Sequence, residues 1–128
     1  MSVTAAPGSR FELTYDLEPF RAGLIEACGY GDLTYGGMEV GLMTDALLAF
    51  TIPGVVLAVW QLDRPVLTCI ALAGENPDDW LADLDALGVW LAKDQGCTKL
   101  RCHGRPGWAR ALRKWGYRAQ SLQVGKEI

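Results

Sequence analysis

Three apolar runs sit close together in the middle of the chain, at residues 47–52, 55–62 and 66–72, parted only by Pro53-Gly54 and by Asp63-Arg64-Pro65. Thr51, Ile52, Val55, Val56 and Val59 make the first two runs β-branched, and short polar separators are what hairpins need. The pattern predicts an antiparallel meander of largely buried strands at the centre of a sheet. Farther along, Trp80, Leu81, Leu84, Leu87, Val89, Trp90 and Leu91 fall on one broad stripe, with Asp83, Asp85 and Lys93 off it. That spacing predicts a helix, opened by Asp78 and Asp79 and closed by Gly96. Residues 98–103 then read as a strand. Pro106, at a first-turn position, opens a second helix that runs through Trp115 and stops at Gly116, before a last strand over residues 117–126. A helix between the strand ending at Leu72 and the one starting at Thr98 requires the two to be parallel, joined by a right-handed crossover.

The N-terminal third is less regular. Residues 11–17 alternate enough for a first strand, and Glu18-Pro19 opens a helix running through Phe20, Leu24 and Ile25 to Cys28, ended by Gly29. Gly31, Gly36 and Gly37 punctuate an irregular segment, and residues 38–43 follow neither the strand nor the helix period, so no element is assigned there. Residues 46–62 carry no charge over 17 positions, a length just short of a membrane span, but Pro53-Gly54 interrupts them and two buried strands account for the same residues. No membrane association is expected. The chain is read as one domain over residues 10–128, preceded by a flexible arm over residues 1–9.

Composition narrows the class without naming a chemistry. At 128 residues, half of them apolar and 21% charged, the chain suits one soluble domain with one core. No basic segment followed by an apolar run and a cleavage site marks it for secretion, so a cytoplasmic origin is expected. Cys28, Cys69, Cys97 and Cys102 lie in apolar runs and are read as core thiols rather than a disulfide framework. Cys102 and His103 are neighbours on a predicted strand and point to opposite faces, which argues against a zinc site; no metal is expected. Of Trp60, Trp80, Trp90, Trp108 and Trp115, most are expected in the core, with one or two left on the surface as contact anchors.

Charge changes the picture more. Residues 1–92 hold 3 basic and 13 acidic side chains, whereas residues 93–128 hold 9 basic and 2 acidic ones. Either the two ends fold against each other, or the basic end faces an anionic partner.

The order of elements, strands followed by strand, helix, strand, helix, strand, is similar to the fold of the GNAT N-acetyltransferases over residues 46–128. The resemblance implies an α/β fold with a mostly antiparallel central sheet, flanking helices and one parallel pair that splays apart to hold acyl-CoA. Residues 64–74, 89–97 and 104–117 carry a closer likeness to small GNAT-like proteins encoded among virion genes of tailed bacteriophages. The third segment is the most specific: Gly104 ends a strand, Pro106 and Gly107 start a helix, Trp108 and Leu112 pack inward, and Gly116 supplies a left-handed stop.

In such enzymes a loop resembling Gln/Arg-x-x-Gly-x-Gly/Ala binds the pyrophosphate on backbone N–H groups at the start of the long helix. Here that position reads Gly74-Glu75-Asn76-Pro77-Asp78-Asp79. The glycine cradle is missing, Pro77 has no N–H, and three carboxylates stand where a phosphate would be attracted. The family also implies a carboxylate base on the middle strands and a tyrosine acid. Tyr117 lies in the right part of the chain, but residues 55–62 and 66–72 hold neither Glu nor His. Asp63 is read as a solvated turn residue, and His103 as structural.

The leading expectation is therefore a non-catalytic GNAT-like structural or interaction protein of a phage virion or host cytoplasm, without a cofactor. It would contact other virion proteins, or copies of itself, through Arg101, Arg105, Trp108, Arg110, Arg113 and Lys114. The alternative is a divergent acetyl-CoA-dependent acyltransferase in which the strand edge at Leu72, Ala73 and Gly74 receives the cofactor and Arg101 or Arg105 helps to hold it. A third reading is nucleic-acid binding by residues 105–118, with Trp108 or Trp115 as stacking platforms.

Overall fold

The structure, a computed structural model, describes residues 7–28, 33–103, 107–120 and 123–128. Its elements run β1 (Glu12–Thr14), α1 (Arg21–Cys28), α2 (Tyr35–Met43), β2 (Leu47–Ile52), β3 (Val56–Asp63), β4 (Val66–Gly74), α3 (Leu81–Asp94), β5 (Lys99–His103), α4 (Gly107–Leu112), β6 (Arg118–Gln120) and β7 (Gln123–Glu127). Single 3-10 turns precede α1 and α3 and follow α4. The seven strands form one sheet in the order β1-β2-β3-β4-β5-β7-β6. Every neighbouring pair is antiparallel except β4 and β5, which run parallel as the intervening helix demands.

The apolar meander becomes β2, β3 and β4, with Gly54 at φ 75° in the first turn, a conformation that glycine adopts without strain. Alternation along β3 sends Val56, Ala58 and Trp60 to one face, under α3 and α4, and Leu57 and Val59 to the other, under α1 and α2. The sheet is thus the middle of three layers. Its α3 side holds the larger core, which includes Phe11, Phe50, Trp80 and Leu112.

Two expectations are corrected. The segment 38–43, left without an element, lies in α2. Thr34 caps that helix, its Oγ1 accepting from Gly37 N–H at 3.0 Å, and Met38, Gly41 and Leu42 bury against the sheet. Gly41 lies so close to Leu47 that a Cβ there would fall 2.5 Å from its Cγ. Close packing on β2 therefore stabilises a helix that its glycines disfavour. The last strand expected over residues 117–126 is two strands, β6 and β7, paired antiparallel from Arg118↔Gly125 to Gln120↔Gln123. That return places β7, not β6, beside β5.

At the N-terminal boundary, Ser9 Oγ donates to the Asp83 carbonyl at 2.8 Å, and Arg10 clamps the Asp83 carboxylate through its backbone N–H and its guanidinium. Trp60 and Trp80 are buried, while Trp90 and Trp115 pack against the same core from its margin. Among the described residues no helix is long and apolar enough to cross a membrane.

Candidate site where the parallel strands part

β4 and β5 stay in register from Val66↔Lys99 to Cys69↔Cys102, and there the pairing ends. β4 continues to Gly74, and among the described residues, 70–74 have no partner on the β5 side. An irregularity in β4 marks the same point. Val59 of β3 pairs with Ala71 and Trp60 pairs with Cys69, leaving Ile70 unpaired. The extra residue inverts the alternation: Leu67, Cys69 and then Leu72 face α3, while Ala71 and Ala73 face α1.

A cavity of about 280 Å³ opens at this apex on the α1–α2 side of the sheet. Ile70 and Ala71 form one wall, His103 at the end of β5 stands opposite, and Gln61, Cys28 and Met38 complete it. Burial raises the pKa of the Cys28 thiol, which stays protonated at neutral pH. His103 is the histidine that lines the cavity. Among the described residues no cluster of three or more His, Cys, Asp or Glu side chains is arranged to hold a metal.

Leu72, Ala73 and Gly74 lie on the free edge of β4, but they offer a ligand only backbone. Leu72 is buried toward α3 and Ala73 lies beneath α1, where a Cβ on Gly23 would come within 2.9 Å of the Ala73 Cβ. Gly74 is held against β3: a Cβ there would meet the Val56 side chain at 2.8 Å and the Val55 carbonyl oxygen at 2.9 Å. Tyr117 does not reach the cavity. It is buried on the opposite, α3 face, where burial and the nearby Asp85 carboxylate keep its phenol protonated far above the usual tyrosine range.

The loop that leads into α3 has little left for an anion. Asn76 adopts a left-handed conformation at φ 55°, and Pro77–Asp79 form a 3-10 turn. The Asp79 and Trp80 N–H groups are already engaged by the Asn76 and Pro77 carbonyls at 2.9 and 3.1 Å. Pro77 contributes no N–H, Asp78 and Asp79 face solvent, and the Trp80 Nε1 closes the turn on the Glu75 carbonyl at 2.7 Å. Arg10 neutralises part of the local charge, but it does so by binding the Asp79 carbonyl and the Asp83 carboxylate from outside the turn. Residues 74–79 therefore do not fit an acyl-CoA pyrophosphate, which requires free N–H groups and a positive helix end.

The basic residues expected to share one surface are divided. Arg101 points to the face away from α3, in register with Thr68 and Gly125. Arg110, Arg113 and Lys114 are exposed on α4 and the turn after it, on the α3 side, with the Lys114 Nζ 4.5 Å above the Trp115 ring. Arg105 lies outside the described residues, as does the side chain of Trp108. Sequence reasoning missed the cavity, because a single unpaired residue in a continuous apolar strand leaves no mark in the hydrophobic pattern. Cys28 and His103 were legible as residues but not as neighbours.

No family model matches the sequence, and no curated protein does. Among solved structures, the chain is similar to one from Rhodopseudomonas palustris described as a GCN5-related N-acetyltransferase, aminotransferase class-II. The TM-score is 0.52 and the identity 17%, over 100% of this chain and 99% of that one. At that identity the likeness concerns the fold, which is GNAT-like: a mixed α/β domain with a mostly antiparallel sheet, one parallel pair and flanking helices.

Proposed function

We propose that the chain is a non-catalytic interaction protein built on the acetyltransferase scaffold. The observation that carries this reading is the turn before α3, in which Pro77 has no N–H, the Asp79 and Trp80 N–H groups are already bonded, and Asp78 and Asp79 are acidic and exposed. Without the pyrophosphate anchor, the free edge of β4 offers an acyl chain only a strip of backbone. The setting suggested by the likeness of residues 64–74, 89–97 and 104–117 is the virion of a tailed bacteriophage, with other virion proteins as partners. Mass spectrometry of purified particles tests the setting, and absence of the chain from them would remove it.

The cofactor is tested separately. Titration of the purified protein with acetyl-CoA is expected to give no saturable heat and no thermal stabilisation. Binding with ligand at 100 times Kd would instead add about 2.7 kcal/mol of stability, which a melting curve resolves easily. Such a shift would favour the second reading, a divergent acyltransferase, for which the cavity at the strand apex is the supporting feature. His103 lines that cavity, and on this reading it would accept the proton of an amine, with transfer activity across a panel of amines as the result.

A further inference from the structure

Two surfaces at opposite ends of the sheet complement each other in charge, and we infer that they join copies of this chain. The first is a groove of about 220 Å³ beside the start of α2, walled by Tyr15, Tyr35 and Met43 and rimmed by Asp16, Glu18 and Glu39. It holds apolar surface that the fold leaves uncovered, since Tyr15 is 63% and Met43 84% exposed. The Tyr35 hydroxyl is buried and has no hydrogen-bond partner. Aromatic faces and carboxylates are what a guanidinium group requires; Arg21 already takes up part of this surface, 5.2 Å from the Tyr35 ring centroid and 3.0 Å from the Glu18 carboxylate, which leaves the Asp16 and Glu39 carboxylates for a second one.

The second surface supplies guanidinium groups. Arg101 pairs across the sheet with Gly125, and Gly125 with Arg118, so the two arginines stand on one face with a residue lacking a side chain between them. The two arginines line a cavity of about 650 Å³ at the end of the sheet with Val89 and Lys93 of α3, while α1 and α2 pack on the other half of the sheet, against β4 and β2. Among the described residues neither Arg101 nor Arg118 has an ion-pair or hydrogen-bond partner. The pair spans about 10 Å, two strand spacings, which suits insertion of one arginine into the groove while the other meets its acidic rim.

The two surfaces cannot satisfy each other within one molecule. From β2, on which α2 packs, to β6 is five strand steps, or about 24 Å. Contact between copies therefore joins the groove of one to the arginine pair of another, reciprocally in a two-fold dimer or successively in a ring or an open chain. The inference deepens the interaction reading by naming one partner, a second copy, and it rests on residues that play no part in the acetyl-CoA test.

Analytical ultracentrifugation tests it. The full chain at about 20 mM salt is expected to associate with rising concentration, and about 0.5 M salt should weaken the association at least tenfold, because the contact is between exposed charges. Arg101→Glu/Arg118→Glu and Glu18→Lys/Glu39→Lys should each be monomeric while keeping the wild-type circular dichroism and Tm. Mixing the two variants should restore a complex, because each retains the surface that the other has lost. A wild type that stays monomeric at low salt would overturn the inference, as would association that either double variant leaves unchanged. If the mixture fails to associate while both variants are folded, the two surfaces are not partners and the inference also fails.

Discussion

Trp80→Ala is expected to cost about 3–5 kcal/mol. The indole is fully buried at the junction between the turn over Pro77–Asp79 and the first residue of α3, and it packs into the core shared by the sheet and that helix. Its Nε1 also donates to the Glu75 carbonyl at 2.7 Å, so truncation both opens a cavity and leaves a carbonyl without its donor. A domain of this size has a total stability of about 5–15 kcal/mol, so the variant should unfold at markedly lower denaturant. Trp80→Phe keeps most of the packing and should cost about 1–2 kcal/mol, the part assigned to the hydrogen bond. Equilibrium denaturation of both variants checks the argument. If Trp80→Ala lost less than about 1.5 kcal/mol, the indole would not be the keystone of the turn.

The second large effect is expected at Lys126. Its Nζ lies 2.7 Å from the Asp85 carboxylate and 2.7 Å from the Trp115 carbonyl oxygen, and 4.6 Å from the centroid of the Tyr117 ring. Both charged side chains are mostly buried, at 15% and 17% exposure, so this pair differs in kind from the exposed pair between Lys99 and Glu127. Lys126→Met would leave the Asp85 carboxylate without its counter-charge and should cost about 3–5 kcal/mol. Adding Asp85→Leu should recover most of that loss, because a well-packed apolar pair can replace a buried ionic one. The expected coupling in the double-mutant cycle is about 2 kcal/mol. Lys99→Met, by contrast, should change stability by less than about 1 kcal/mol. Additive effects at Lys126 and Asp85 would mean that the pair is solvated and that β7 is held to α3 by apolar contacts alone.

The Lys126–Asp85 pair also resolves part of the charge asymmetry. Arg10, from the acidic stretch, clamps Asp83, and Lys126, from the basic stretch, is taken up by Asp85. Some of the opposite charges therefore meet within the fold. Among the described residues the Arg101 and Arg118 side chains have no ion-pair partner within the fold.

The meander, the long helix, the parallel crossover and the glycine stop before the last strands were all legible in the residues. Each depends on local periodicity or on a backbone property of one residue, and both survive in a linear sequence. The loss of the phosphate cradle was legible for the same reason: Pro77 lacks an N–H in any fold, and Glu75, Asp78 and Asp79 are acidic wherever they stand. Helix α2 was not legible. Its capping threonine and three glycines give a weak local signal, and packing on β2 forms it, with Gly41 against Leu47. The hairpin of β6 and β7 was hidden because three- and five-residue strands are too short for alternation to show where one ends.

What the sequence determined by itself, then, was the class of fold and the poverty of its anion-binding turn, since these follow from properties that each residue carries with it. The tertiary structure alone decided which residues meet. Ile70, left unpaired in the β3–β4 ladder, lies where the β4–β5 pairing ends, and His103, Cys28 and Gln61 line one cavity with it. The same sheet separates Arg101 from the basic residues of α4, sets it in a row with Arg118, and sends Tyr117 to the opposite face. Register and facing arise from strand pairing between segments far apart in the chain, and no local pattern of hydrophobic and polar residues encodes a one-residue shift between them.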